Sequence, residues 1–136
     1  NRIYSDRELQ LRWAETELTV FPAEYPGTGN EKSLCILFDT PKCDILITSD
    51  RTGFGERMLL RYHEIPDVDV LIAGHHGADS STCQELISAV CPETVCISAG
   101  KDNIYGHPHE NLLQRLKDSG CSIFRTDVNG NIVIRR

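Results

Sequence analysis

Two adjacent histidines follow an apolar run that predicts a buried strand. His75 and His76 come after residues 70–73 and Gly74, and the end of a strand holds side chains at the edge of a core, where binding and catalytic sites are often built. Imidazole binds metal ions and transfers protons near neutral pH. Because the two rings share one turn, they cannot both pack in one direction, so one can bind a metal ion while the other faces a substrate. The alternative is a structural histidine beside a surface histidine.

Asp50 and a second histidine pair occupy comparable positions. Asp50 ends the apolar run at residues 45–49, where a carboxylate can bridge two metal ions or orient a water molecule. An aspartate that is solvated or caps a helix fits the same pattern. His107 and His109 flank Pro108 at the start of a predicted helix. They either belong to the same site or cap that helix and face solvent.

Other polar groups near the histidines favour a phosphate-like ligand. Asn103 and Tyr105 place an amide and a phenol on the loop before the second histidine pair. Gly77 allows the backbone to turn sharply after the first pair. A predicted helix start at residues 80–82, which includes Ser81, would present free N–H groups and hydroxyls, and such groups suit an anion.

The spacing of apolar residues predicts an alternating α/β chain in which these side chains end strands or open helices. The predicted strands, about eight, lie at residues 9–13, 17–21, 33–39, 43–49, 68–74, 94–99, 121–126 and 131–135. The three predicted helices lie at residues 56–64, about 81–90 and about 108–119. Short turns at residues 40–42 and 127–130 predict two antiparallel hairpins, and residues 22–30 predict a loop. We expect the helices to pack on one mixed sheet.

Length and composition fit one globular domain over residues 1–136. The net charge of −6 makes the bulk surface unsuited to capturing nucleic acid, although bound divalent cations could supply positive charge to a phosphate substrate locally. The sequence contains no run that is long and apolar enough for a membrane span, and no signal peptide. Because it begins with Asn1 rather than methionine, we expect a piece of a longer protein.

Several common catalytic motifs are missing from the sequence. It has no GxxxxGK[ST] motif, no GxSxG motif and no cysteine beside a plausible base. These absences exclude P-loop nucleotide hydrolysis and the nucleophile elbow of the α/β-hydrolases. A dinucleotide-binding fingerprint fails at Met58, where the third glycine would stand. The six cysteines form no CxxC pair and are interpreted as reduced packing residues, with a disulfide in an oxidising compartment as the alternative.

The ordered set of motifs resembles the metallo-β-lactamase-fold domain of the ComEC/Rec2 competence proteins. The motifs are Ile45-Leu46-Ile47-Thr48-Ser49-Asp50, Gly74-His75-His76-Gly77 with Ser81 nearby, Ile97-Ser98-Ala99-Gly100 leading to Asn103-Ile104-Tyr105-Gly106-His107-Pro108-His109, and Arg125-Thr126-Asp127-Val128-Asn129-Gly130. The resemblance covers about residues 17–136. It implies an α/β fold, the C-terminal half of an αββα sandwich, in which a site of one or two zinc ions lies between the two halves. Related members hydrolyse phosphodiester or phosphocholine ester bonds.

The resemblance also implies a role for each candidate residue. Asp50 would bridge the metal ions, and His76 would be a zinc ligand. His75 would face the substrate phosphate, and His107 would support the reaction or handle protons at the rim of the cleft. Three further residues complete the expected phosphate-binding group: Ser81, Asn103 and Tyr105.

Two departures and one absence separate this chain from the family pattern. Ser49 stands where the family has glycine, and Ala78 stands where it has serine. The HxHxDH motif, which supplies most zinc ligands in the family, does not occur in these 136 residues. A catalytic zinc ion usually has three protein ligands, so we expect this segment alone to bind zinc weakly or not at all and to be inactive.

The resemblance therefore predicts part of a metal-dependent, phosphodiesterase-like or nuclease-like hydrolase in a competence protein for DNA uptake. The alternatives are a non-catalytic scaffold with a decayed metal site and a stand-alone hydrolase of the same fold. The expected partners are the missing N-terminal half of the domain, single-stranded DNA or another phosphodiester as substrate, and a second copy of the chain. The expected location is a soluble segment of a bacterial inner-membrane protein.

Overall fold

Seven strands form one sheet in residues 7–23 and 29–135, the parts of the chain that the structure, a computed structural model, describes. The strands are β1 (Leu9–Trp13), β2 (Thr16–Phe21), β3 (Cys35–Asp39), β4 (Ile45–Ile47), β5 (Val70–Ile72), β6 (Thr94–Ile97) and β7 (Ser122–Arg125). The α-helices in the same residues are α1 (Gly53–Tyr62), α2 (Gln84–Val90), α3 (Glu110–Ser119) and the single turn α4 (Thr126–Asn129). Two 3₁₀ turns lie at Gly29–Lys32 and Gly74–Gly77.

The strands lie in the sheet in the same order as in the sequence, from β1 to β7. Strands β1 to β4 pair antiparallel, and β4 to β7 pair parallel. Helices α1, α2 and α3 lie in the three connections between the parallel strands, as such crossovers require. The mixed α/β sheet and the hairpin of β3 and β4 confirm the predictions from the sequence.

The core lies between one face of the sheet and the helices α1 to α3. Side chains at matching register positions on neighbouring strands form its sheet side, and all are buried: Leu37, Leu46, Leu71 and Val95. The buried helical side chains opposite them are Leu59, Leu86, Leu112 and Leu116. Burial of a leucine contributes about 1.5–3 kcal/mol, so this layer stabilises the strand ends that carry the histidines.

The opposite face of the sheet, called the open face below, is also apolar. Val70 and Cys96 on this face are buried. Its other apolar side chains alternate with those of the core and are exposed or only half-buried: Leu11, Leu18, Val20, Ile36, Phe38, Ile45, Ile47, Ile72 and Phe124. Leu11 is 47% exposed and Phe124 is 43% exposed. Strands that are apolar on both faces are typical of a sheet covered by a layer on each side.

The predicted closing strand at residues 131–135 is wrong, and so is the hairpin that it would form. Thr126 begins the helical turn α4 instead, because its Oγ1 accepts an N–H bond from Ala99 at 2.9 Å and donates to the Ala99 carbonyl at 2.8 Å. The Asn129 side chain closes the turn on the Arg125 N–H. Residues 132–134 then line a cavity of about 530 Å³ against part of the open face.

The helices begin at positions other than those predicted. Helix α1 begins at Gly53, before the predicted residue 56, and α2 begins at Gln84 rather than near residue 81. Helix α3 begins at Glu110 with His109 as its N-cap, so Pro108 precedes the helix rather than opening it. The predicted loop at residues 22–30 lies partly outside the described residues, at 24–28, and ends in the turn Gly29–Lys32.

A buried arginine joins the antiparallel strands near the site. Arg51 is fully buried after β4, and its guanidinium donates to the carbonyls of Ser33 at 2.9 Å and Pro22 at 2.9 Å. These carbonyls lie at the start of β3 and the end of β2. A planar group with five donors can satisfy several fixed carbonyls at once, so Arg51 fixes the loop that carries Asp50.

No helix within residues 7–23 and 29–135 is long and apolar enough to cross a membrane. The six cysteines all lie in these described ranges, and Cys35 and Cys96 are buried in the sheet.

Candidate functional site

The candidate site lies where the parallel strands β4, β5 and β6 end. Strand β4 leads into Ser49, β5 leads into the histidine pair and β6 leads into Ser98. The His75 N–H donates to the Ser49 carbonyl at 2.8 Å, and the His76 ring contacts the Ser98 carbonyl. The carboxyl ends of parallel strands are the usual place for a ligand in an α/β fold, and here they bring Asp50 and the histidine pair to one edge.

The histidine pair forms a turn in the left-handed region of the backbone. His75 has φ 48° and ψ 47°, and His76 has φ 56° and ψ 20°. This conformation costs about 1–2 kcal/mol for a residue that is not glycine, and two such residues in succession are held only where their surroundings fix them. Strained backbone of this kind is concentrated at functional sites, so the turn itself supports a functional role for the pair.

The glycines on both sides of the pair allow close packing around this turn. A Cβ at Gly74 would lie 3.0 Å from Thr48 Oγ1 and 3.1 Å from Ser81 Cβ. Gly77 has φ 87°, and a Cβ there would lie 2.6 Å from Pro108 Cβ. The Gly77 carbonyl also accepts the His109 N–H at 2.9 Å. The second histidine segment is therefore packed directly on the first.

His76 has a fixed ring orientation. Its Nδ1 lies 2.8 Å from the Ser98 carbonyl oxygen, and because a carbonyl can only accept, this contact places the ring hydrogen on Nδ1. The Nε2 atom is then left with its lone pair. A backbone carbonyl on one ring nitrogen is a common way of orienting a histidine that binds metal through the other. His76 is exposed and lines a cleft of about 220 Å³ with Ala99, Gly100, Asn103, Tyr105 and His107.

His107 lies across this cleft from His76 and close to His75. The ring centroids of His107 and His75 are 5.9 Å apart, and the Tyr105 ring stacks on the other side at 6.0 Å. The His107 Nδ1 is buried and has no hydrogen-bond partner among the described residues. Burial lowers the pKa of His107, and the charges of His75, His76 and His109 lower it further, so its surroundings favour the neutral imidazole.

We expect the His107 imidazole in the folded protein to titrate below the usual pKa of histidine. A pKa that is lowered by folding stabilises the protein above the unfolded-state value, and this contribution is lost as the pH falls through the folded value. NMR titration of the histidine ring protons measures the pKa directly. His75→Gln removes a neighbouring charge, so it should raise the pKa of His107 toward the usual value. A His107 pKa at or above that of an exposed histidine would contradict this arrangement.

Asn103 shapes the loop beside the cleft. Its Nδ2 donates to the carbonyls of Gly100 at 2.9 Å and His107 at 2.6 Å, and its Oδ1 accepts the N–H groups of Tyr105 and His107. The Asn103 amide is therefore already hydrogen-bonded to backbone groups of its own loop. Tyr105 is 74% exposed at the rim, and its phenol is the more accessible of these two predicted phosphate-binding groups.

Ser81 is buried behind the histidine turn rather than at its surface. It has 0% exposure, and its hydroxyl has no hydrogen-bond partner among the described residues. The neighbouring N–H groups of Thr82 and Cys83 donate to the two oxygens of Glu56, at 2.7 and 2.8 Å. These N–H groups at the predicted helix start, which were expected to bind a phosphate, are hydrogen-bonded to the Glu56 carboxylate instead.

Sequence reasoning missed Glu56. The residue has 0% exposure on α1, and burial raises its pKa, while the N–H bonds from Cys83 and Thr82 act in the opposite direction. A signal was available, because Glu56 lies three residues before the buried Leu59 and therefore on the apolar face of the helix. A charged residue at such a position is almost always paired or hydrogen-bonded.

Comparison with known proteins identifies relatives over most of the chain, although no family model matches it. ComE operon protein 3 of Bacillus subtilis is 35% identical over 127 residues, which are 93% of this chain. Recombination protein 2 of Haemophilus influenzae is 34% identical over 103 residues, 76% of this chain. Competence protein ComA of Neisseria gonorrhoeae is 33% identical over 111 residues, 80% of this chain. The chain belongs to the ComEC/Rec2 family of competence proteins.

The chain spans a small part of each of these relatives. It covers 16% of ComE operon protein 3, 13% of recombination protein 2 and 16% of ComA. A solved structure of a CmlA β-hydroxylase mutant is similar in fold, with a TM-score of 0.58 and 14% sequence identity over 90% of this chain and 32% of that chain. This likeness shows the fold, which is the α/β fold of the metallo-β-lactamases.

The described residues supply only part of the zinc site that the resemblance implies. His76 offers an oriented Nε2, and Asp50 is half-buried on the neighbouring strand end. Within the described ranges, however, no three His, Cys, Asp or Glu side chains are grouped so that they could hold a metal ion. A zinc site with three protein ligands is therefore not formed by these residues alone.

The two departures from the family pattern have different consequences for the site. Ser49 has φ 54°, so the backbone keeps the left-handed turn for which glycine is suited, at a cost of about 1–2 kcal/mol. Ala78 is 5% exposed, and its N–H donates to the His75 carbonyl at 3.0 Å. Its side chain faces the interior, and the family serine at this position has no counterpart here.

Proposed function

We propose that this chain is the C-terminal half of a metal-dependent hydrolase domain that cleaves phosphodiesters in a competence protein for DNA uptake. The observation that carries the proposal is the orientation of His76 by the Ser98 carbonyl, which leaves Nε2 available beside the cleft. A histidine with only a packing role has no need of an exposed ring on a strained turn. Membership of the ComEC/Rec2 family supports a role in competence, and the oriented ring of His76 supports metal-dependent hydrolysis.

The residues of this chain divide into two groups in the proposal. Asp50 and His76 are its contribution to a site of one or two zinc ions, which ligands from the rest of the parent protein complete. His75, His107 and Tyr105 form the substrate side of the cleft, where the neutral imidazole of His107 can accept a proton. Single-stranded DNA or another phosphodiester is the proposed substrate.

The open face supports the presence of a second half. Large apolar side chains on that face are exposed, with Leu11 at 47% and Phe124 at 43%, and a contiguous apolar surface usually marks an interface. We assign this surface to the N-terminal half of the same domain, in the remaining length of a parent comparable to the relatives. Pairing of two copies of this chain is the competing explanation. We further propose that the parent is a bacterial inner-membrane protein.

The test compares the parent protein with this chain alone. The parent should cleave a fluorescently labelled single-stranded DNA oligonucleotide, lose that activity in a chelator and regain it when zinc is restored. This chain alone should contain close to no zinc by elemental analysis and show no cleavage. Absence of chelator-sensitive cleavage by the parent would overturn the proposal. About one zinc ion per isolated chain would instead show that the ligands are completed within this segment or between two copies.

A non-catalytic scaffold is the second candidate function, and one observation favours it. The described residues form no group of three metal-binding side chains, as expected if the metal site had decayed. An HxHxDH motif upstream of this segment in the parent gene would count against decay, and its loss would support it. A third candidate, a stand-alone hydrolase unrelated to competence, would be favoured by a parent without membrane spans.

A further inference from the structure

Glu56 is a buried carboxylate that holds the loop behind the histidine turn. Its Oε1 accepts the Thr82 N–H at 2.7 Å, and its Oε2 accepts the Cys83 N–H at 2.8 Å. A buried carboxylate is costly unless it is hydrogen-bonded, and here both oxygens bond to one short stretch of backbone. Thr82 in this stretch has φ 52°, so the loop is held in a conformation that is unfavourable for a β-branched residue.

Thr82 connects this loop to the histidine turn. Its Oγ1 accepts the N–H of Gly74 at 2.9 Å, and Gly74 immediately precedes His75. The contact between the two segments is also direct, because a Cβ at Gly74 would lie 3.3 Å from the Oε1 atom of Glu56. Glu56 is therefore connected to the end of β5 in two ways. One is a pair of hydrogen bonds through Thr82, and the other is direct packing against Gly74.

We propose that Glu56 is a positioning residue that acts through Thr82 and Gly74 to hold His75 and His76 in their left-handed turn, and so fixes the ring orientation of His76. The inference rests on the proposed function only for the statement that this turn is part of a catalytic site. Glu56 does not line the cleft beside His76, and its effect is transmitted through the backbone.

A purely structural role would make Glu56 only an anchor for the start of α2, whose N-cap is Cys83. That role explains the bond to Cys83. It does not explain why Thr82, whose N–H is held by the other carboxylate oxygen, also accepts the Gly74 N–H through its side chain. The two histidines also need a restraint from outside their own turn, because each has a positive φ.

The test uses the 136-residue chain labelled with ¹⁵N-histidine and follows the tautomer of His76 by NMR together with hydrogen exchange of the Gly74 amide. Glu56→Gln presents an NH₂ group to one of the two N–H donors, and Thr82→Val replaces the hydroxyl by a methyl group of similar size. In both variants the Nδ1–H form of His76 should cease to dominate. Exchange of the Gly74 amide should become about tenfold faster, as expected for loss of one hydrogen bond. Thr82→Ser keeps the hydroxyl and should preserve both signals.

Val90→Ala is the control for a general loss of stability. Val90 is buried at the end of α2, and its carbonyl accepts the Val68 N–H near the start of β5, at the opposite end of the strand from Gly74. This variant should lower the melting temperature without changing either signal. An unchanged His76 tautomer and Gly74 exchange rate in Thr82→Val would overturn the proposal, even if Glu56→Gln does not fold. Failure of the parent to cleave DNA would contradict only the proposed function, since these signals do not depend on activity.

Discussion

Substituting His76 by alanine in the parent protein should abolish cleavage of single-stranded DNA. The side chain is exposed at the cleft, and its Nδ1 is engaged by the Ser98 carbonyl, so the substitution removes an oriented Nε2 without creating a cavity in the core. The expected loss is therefore of activity and zinc affinity, with little change in melting temperature. Cleavage of a labelled oligonucleotide and zinc content measured on the same preparation separate these effects. Asp50→Ala should have the same result.

His63 provides the matched control for this experiment. Its ring lies at the end of α1, 4.8 Å from the Phe21 ring and 3.0 Å from Glu8 Oε2, and it is not among the residues that line the cleft. His63→Gln should leave the cleavage rate within about twofold, because the ring does not line the cleft. A tenfold loss would require a rise of about 1.4 kcal/mol in the activation free energy. Undiminished turnover in both His76→Ala and Asp50→Ala would remove the basis for assigning these residues to the site.

Alanine at Gly77 should destabilise the folded chain by about 2–5 kcal/mol. The backbone there has φ 87°, which costs about 1–2 kcal/mol for a residue with a Cβ. The new Cβ would also lie 2.6 Å from Pro108 Cβ and 3.0 Å from Ile97 Cγ2, and forcing atoms into a packed region costs about 1–3 kcal/mol. Urea unfolding followed by circular dichroism gives the difference in the free energy of unfolding.

Gly120 separates the two contributions. It caps α3 with φ 79°, and a Cβ there would meet no heavy atom within 4 Å. Gly120→Ala should therefore cost only the backbone contribution, about 1–2 kcal/mol. If the two variants were equally destabilised, the close contact between the two histidine segments would contribute nothing to the free energy of unfolding. Pro108 would then not hold the histidine turn in place.

Strand positions could be predicted because apolar runs of four to seven residues bounded by turns have few alternatives in a chain of this size. Strands β3 to β7 fall within the predicted ranges, and the alternation of helix and strand gave the parallel half of the sheet. Residues 131–135 share the same apolar pattern but form no strand. Their position depends on the side chain of Thr126, whose bonds to Ala99 come from a distant strand end, and periodicity carries no information about such contacts.

The histidines and Asp50 could be found from their positions after strands, whereas their supports could not. The sequence gives no sign that Arg51 is buried, and although Glu56 lies on the apolar face of its helix, only the fold shows which backbone groups each of them binds. For Ser81 the sequence predicts an exposed hydroxyl, because serine is common at helix starts, whereas the structure buries it. In each case the burial of a polar side chain is decided by tertiary contacts that local propensity does not encode.

The order of the strands has a consequence for how this chain folds. Each strand of the described sheet pairs only with those that precede or follow it in the sequence, so no pairing has to wait for a strand farther along the chain. The sheet can therefore grow one strand at a time as the polypeptide leaves the ribosome, and the edge that binds the histidine turn is complete once β6 has been added.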